Sequence, residues 1–253
     1  MKKLVEVRNL DAGYDNNTVL SDINLSIYEN DFIGIIGPNG GGKTTLLKVL
    51  LGLIKSFRGE VIFNDNAEDK KNRPSIGYLP QLNDTDKKFP ITVKDVVLSG
   101  LLPARNLLYK YTKADKEKVT EIVENMGMTG KMNAPIGELS GGQLQRVFLA
   151  RAIVSSPSIL ILDEPSTFVD SRFENELYGF LPGLNEKMAI LLVSHDLGII
   201  SGYIKTIACV NGNLHYHSSN VITSDQLKVY NCPIDIITHG NVPHRVLAEH
   251  KHQ

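Results

Sequence analysis

The chain has 253 residues, 42% of them hydrophobic, which is enough for one or two domains with a sizeable core. Its 27 Lys and Arg are balanced by 28 Asp and Glu, a net charge of -1 that excludes the basic footprint of a nucleic-acid binder. No apolar run is long enough to span a membrane, and Cys209 and Cys232 are too few for a disulfide framework, so both are expected as reduced thiols.

At the N-terminus, Met1-Lys2-Lys3 leads into Leu4-Val5-Glu6-Val7-Arg8, whose charges interrupt any signal-peptide apolar region; the protein is expected to stay in the cytosol. The alternation Ile23, Leu25, Ile27 predicts a half-buried strand. The apolar run Phe32-Ile33-Gly34-Ile35-Ile36 predicts a second, followed by Gly37-Pro38-Asn39-Gly40-Gly41-Gly42-Lys43-Thr44 and then Thr45-Leu46-Leu47-Lys48-Val49-Leu50-Leu51, which reads as a helix. Glycines in that setting let consecutive N–H groups point inward, and the helix start adds partial positive charge, so the loop can wrap phosphates. Lys43 would reach the β- and γ-phosphates and the Thr44 hydroxyl would ligate Mg²⁺. The bland alternative, a glycine-rich turn before Lys-Thr, does not explain the flanking strand and helix.

Val61-Ile62-Phe63 and Ile76-Gly77-Tyr78-Leu79 continue the β character, and the pattern then turns helical. Residues 92–101 follow Pro90, and Thr112-Lys113-Ala114-Asp115 reads as a capping box before Val119, Ile122, Val123 and Met126. Leu139-Ser140-Gly141-Gly142-Gln143 opens a helix expected over 143–155. A Ser followed by two glycines at a helix start is a second anion-binding terminus. One phosphate group does not need two cradles from one chain, so the pair implies a nucleotide held between two copies. Ile159-Leu160-Ile161-Leu162 has the composition of a buried parallel strand and ends in Asp163-Glu164-Pro165. Adjacent carboxylates at that edge sit where open α/β sheets bind ligands; Asp163 suits Mg²⁺ and Glu164 the attacking water. Alone, the pair would read as a helix cap. Residues 188–193 predict another buried strand, and Asn211-Gly212-Asn213 a hairpin between strands at 206–210 and 214–217. No internal repeat is present.

With these residues in this order, the chain resembles the ATPase subunit of an ABC transporter, over residues 1 to about 220. The resemblance implies further roles. Gln81, after Gly77-Tyr78-Leu79-Pro80, matches the glutamine loop and would coordinate Mg²⁺ or water weakly. His195 in Val193-Ser194-His195-Asp196 matches the histidine switch that senses the γ-phosphate, and Asp170 matches the loop that crosses the dimer interface. Tyr14 matches the aromatic under the adenine. The implied ATP contacts are Tyr14, Gly37, Pro38, Asn39, Gly40, Gly41, Gly42, Lys43, Thr44 and Thr45, with Ser140, Gly141, Gly142, Gln143 and Asp170. The catalytic set is Glu164, His195, Lys43 and Gln81, and the Mg²⁺ set Thr44, Gln81 and Asp163. Phe168 departs from the small residue common in relatives and bears on subunit communication, not on hydrolysis.

The implied fold is α/β: a P-loop NTPase core of RecA type with an N-terminal antiparallel β subdomain and an α-helical subdomain inserted at about 85–137. The cassette would cover 1–220 and a C-terminal extension 221–253. The expected assembly is a homodimer on the cytoplasmic face of the inner membrane, peripheral to integral permease subunits and working indirectly with an extracytoplasmic substrate-binding protein; no nucleic acid is expected. The tail around Cys232-Pro233-Ile234-Asp235 and Pro243-His244-Arg245 is similar to that of ATPases serving zinc and manganese importers, which implies import of a divalent transition metal, zinc or manganese ahead of iron. Six of the seven His, namely His215, His217, His239, His244, His250 and His252, follow Val210 and read as a solvated polar tail more readily than as a metal site. The alternatives are an ABC ATPase for another solute and a soluble ABC protein, which would want two cassettes or a long coiled-coil insertion.

Overall fold

A computed structural model describes residues 1–15, 17–63, 74–81, 90–102, 110–166, 171–194, 200–220, 237–238 and 243–244. The chain divides into two compact units, Met1–Lys70 with Leu191–Gln253, and Lys71–Ile190.

In the first unit, β1 (Lys3–Tyr14) and β2 (Asn17–Tyr28) form an antiparallel hairpin, with β4 (Arg58–Phe63) on the other side of β1. Alternation sets the faces: Val5 pairs with Ile27 and Val7 with Leu25, and all four are buried. The hairpin closes tightly at Tyr14 and Asn17 because Gly13 has no side chain; a Cβ there would lie 1.9 Å from the Asn17 carbonyl oxygen. Strand β3 (Phe32–Ile36) is buried along its whole length and pairs in parallel with β8 (Thr206–Asn211), which turns at Gly212 into the antiparallel β9 (Asn213–His217). After β3 the chain enters α1 (Lys43–Leu50), which buries Leu46, Leu47, Val49 and Leu50. Trimming any one of these to Ala would cost about 2–5 kcal/mol.

In the second unit, β5 (Ile76–Leu79) and β6 (Ile159–Asp163) pair in parallel, and β6 is buried throughout. Helix α2 (Val93–Ser99) is capped by Thr92, and α3 (Lys113–Asn125) by a full capping box between Thr112 and Asp115. Such a cap is worth about 1 kcal/mol, because it satisfies N–H groups that the first turn leaves open. Helix α4 (Gly141–Ile153) packs on α2 and β5. Two glycines permit the approach: a Cβ on Gly77 or on Gly100 would come within 2.1 Å of the carbonyl oxygen of Ala152 or Arg151. Arg146 of α4 donates to the Met126 carbonyl after α3 and pairs with Glu176 of α5 (Ser171–Asn185). Strand β7 (Ala189–Val193), fully buried, carries the chain from the second unit back into the first. The pair β10 (Ile237–Thr238) and β11 (Pro243–His244) lies in the expected C-terminal extension.

The strands and helices expected from sequence are present, most within two residues of their bounds, but β2 starts six residues before Ile23 and β4 three before Val61. The helix expected from Gln143 starts at Gly141, because Ser140 caps it and draws both glycines into the first turn. The histidines after Val210 do not form one solvated tail: His215 and His217 lie on β9, and His217 is buried at 9% exposure. Burial holds its pKa below the usual histidine range, with His215 adding to the effect. Among the described residues no cluster of His, Cys, Asp or Glu could hold a metal ion. Cys209 is buried. Leu101 is core, Leu102 exposed, and Phe89 falls outside the described residues.

Candidate nucleotide site

The glycine-rich loop of the first unit is set by what it packs against. A Cβ on Gly37 would lie 2.0 Å from the Val210 carbonyl oxygen, so β8 touches the loop backbone directly. Gly42 takes φ 100 as the N-cap of α1, a left-handed conformation that glycine adopts without strain. The β8–β9 turn is bonded to the loop as well: Gly212 N–H donates to the Gly41 carbonyl at 3.0 Å, and the Gly212 carbonyl accepts from Ser21 N–H at 2.8 Å. Lys43 is only 7% exposed, and its Nζ donates to the carbonyls of Gly37 and Pro38, each at 2.9 Å. The ammonium is thereby held over the loop by carbonyl oxygens that offset its desolvation. Thr44 is exposed at the helix start and Thr45 buried. Asn39 and Gly40 form the exposed tip. Tyr14, at the end of β1, is 40% exposed, and Lys48 of α1 places its Nζ 5.4 Å from the ring centroid.

The second unit gathers the carboxylates. Asp163 ends β6, 5% exposed, and accepts from the Tyr78 hydroxyl at 3.3 Å. Burial first, and then the Asp163 charge, push the Tyr78 pKa up to about 12, so the hydroxyl remains a donor at neutral pH. Glu164 follows with φ 48, a left-handed conformation rare for a residue with a long side chain. Gln81, two residues past β5, donates from Nε2 to Glu164 Oε2 at 2.9 Å. That bond fixes where the Glu164 carboxylate sits. At the start of α4, Ser140 Oγ accepts from Gln143 N–H at 3.3 Å, and Gln143 Oε1 accepts from Ser140 N–H at 3.1 Å. The capping box fixes the first turn, where Gly141 and Gly142 present backbone with no side chain over it.

Thus Gln81, Asp163 and Glu164 are brought together with Tyr78, while Ser140, Gly141, Gly142 and Gln143 form a helix start of their own. His195, Asp170 and Phe168 fall outside the described residues. Sequence reasoning passed over Tyr78 as a partner of Asp163, a pairing visible only once β5 lies beside β6. It also passed over Lys48 beside Tyr14 and the Val210 to Gly212 support under the loop.

Residues 20–167 match the family model described as ABC transporter. The chain belongs to that family. Two curated relatives come from Listeria monocytogenes. The zinc uptake system ATP-binding protein ZurA is 40% identical over 223 residues, 87% of each chain. The manganese transport system ATP-binding protein MntB is 38% identical over 214 residues, 84% of this chain and 89% of its own. Among solved structures, the dimeric structure of a bacterial ABC transporter cassette matches with a TM-score of 0.71 at 25% identity, over 87% of this chain and all of that one. The α/β cassette fold expected from sequence is the fold of this ABC ATPase.

Proposed function

We propose that this ABC ATPase hydrolyses MgATP as a head-to-tail homodimer and powers import of a divalent transition metal through a separate membrane permease. The observation that carries the dimer is the second capped helix start: Ser140, Gly141 and Gly142 open α4 as Gly42 and Lys43 open α1, and each N-terminus suits an anion. Each site would take Lys43, Thr44, Gln81, Asp163, Glu164 and His195 from one copy and Ser140, Gly141, Gly142 and Gln143 from the other, with Asp170 at the interface. A dimeric cassette among the structural relatives supports the same reading.

The donor set fits magnesium. Thr44 offers a hydroxyl, Asp163 a carboxylate and Gln81 an amide oxygen whose Nε2 is already committed to Glu164, all hard oxygen ligands. When bound, the ion offsets charge on the β- and γ-phosphate oxygens. Lys43 and the backbone of Gly37, Pro38, Asn39, Gly40, Gly41, Gly42, Thr44 and Thr45 hold those phosphates, and Tyr14 stacks on the adenine. Glu164 Oε2, oriented by Gln81, accepts a proton from the attacking water. His195 bonds the γ-phosphate and registers its loss.

The cassette covers 1–220 with a helical subdomain at about 85–137, and 221–253 is the C-terminal extension. The helical subdomain receives the permease, which holds this chain at the cytoplasmic face of the inner membrane, with a substrate-binding protein on the opposite side. The metal reading rests on the relatives. One serves zinc uptake and one manganese transport at nearly equal identity, so the cassette itself does not choose the ion. Glu164→Gln should retain ATP binding, lose steady-state hydrolysis and elute as an ATP-dependent dimer on size exclusion. Undiminished hydrolysis by this variant removes Glu164 from its role. Uptake of radioactive zinc and manganese by cells lacking the chain tests the cargo: normal uptake of both, with loss of an organic solute, overturns the metal assignment.

A further inference from the structure

We propose that Lys48 is a positioning residue for base recognition, acting through Tyr14. Tyr14 closes β1 at a turn that Gly13 makes tight, so its backbone is fixed while its ring is 40% exposed. Lys48, in the last turn of α1, is half-buried, and its ammonium stands 5.4 Å from the ring centroid. That lies within the range in which the ring quadrupole attracts a cation. The ammonium stands over one ring face. The ring therefore keeps a defined plane and offers its opposite face to a flat base. The same short helix opens at the phosphate loop, so Lys48 ties the base platform to the phosphate cradle at a fixed spacing. This rests on the reading that Tyr14 stacks on the adenine.

Calorimetric titration of the full chain with ATP and with inorganic tripolyphosphate, both without magnesium, separates the two ideas. Lys48→Met should weaken ATP about two- to five-fold, leave tripolyphosphate unchanged, and have no further effect in a Tyr14→Ala background. Lys48→Arg should restore the wild-type affinity for ATP. Equal weakening of ATP and tripolyphosphate, or an undiminished effect of Lys48→Met when Tyr14 is already Ala, would mean that the charge acts on phosphates and would overturn the proposal. So would normal ATP affinity in Lys48→Met while Tyr14→Ala binds poorly. If Tyr14→Ala itself binds ATP normally, the stacking role of Tyr14 fails and the role of Lys48 goes with it.

Discussion

Gln81 Nε2 donates a 2.9 Å hydrogen bond to Glu164 Oε2, joining the second residue past β5 to the carboxylate after β6. A neutral amide can hold the carboxylate without protonating it, and can exchange that bond for one to water or to an ion. Replacing the amide by a second carboxylate removes both properties. In Gln81→Glu two like charges would face each other, which favours protonating one of them or pushing the pair apart. We expect kcat to fall about 100-fold with ATP affinity little changed, and the acid limb of the pH–rate profile to move to higher pH. A profile identical to wild type would detach Gln81 from the chemistry.

The backbone at Glu164 predicts a conflict between stability and activity. A left-handed φ of 48 on a glutamate costs about 1–3 kcal/mol, and Asn tolerates that region better. Glu164→Asn should therefore raise the Tm by about 2–4 °C while abolishing hydrolysis. A lowered Tm would show that the conformation is not strained.

Two loop glycines should respond differently to the same change. Gly37→Ala drives a Cβ to 2.0 Å from the Val210 carbonyl, which neither β8 nor the loop can yield without losing the β3–β8 pairing. Gly40→Ala meets nothing within 4 Å and bears only the cost of φ 78, about 1–2 kcal/mol. Melting curves should place Gly40→Ala near wild type and Gly37→Ala well below it, with ATP binding lost only in the latter. The reverse order would mean that β8 does not support the loop.

His217 predicts an acid limit to stability. Its folded pKa is depressed, chiefly by burial, so the unfolded chain takes up the proton first as pH falls. Its contribution is complete above the ordinary histidine pKa of about 6.5 and is lost as pH drops through the folded value. Urea midpoints at pH 7.5 and 5.5 should differ less for His217→Phe than for wild type. An unchanged difference would assign the acid loss to other groups.

Features decided by near neighbours in sequence were legible before the structure. The capping box of Thr112 with Asp115 joins residues three apart and forms as read, whereas the one between Ser140 and Gln143 reads in sequence only as a helix start. The glycine turn between β8 and β9 is equally local. What escaped depends on distant partners. Helix α5 contains Pro182, which argues against a helix, yet Leu177, Tyr178 and Leu181 are buried and the helix runs to Asn185. The bond from Tyr78 to Asp163, the Val210 carbonyl under Gly37 and the ammonium of Lys48 beside Tyr14 all require strand order to be known first. His217 looked like part of a polar tail because its composition resembled one, whereas pairing of β9 with β8 buries it.

The shared site is tested most directly by a disulfide between copies. Asn39 at the loop tip and Ser140 at the cap of α4 are both exposed. Chains carrying Asn39→Cys alone and Ser140→Cys alone, each also carrying Glu164→Gln, are mixed with ATP and oxidised, and the linked peptides are identified by mass spectrometry. Two copies that share one nucleotide give an ATP-dependent bond between the position 39 thiol of one copy and the position 140 thiol of the other. No such bond, with ATP bound and both thiols reactive to a soluble reagent, would contradict the head-to-tail dimer.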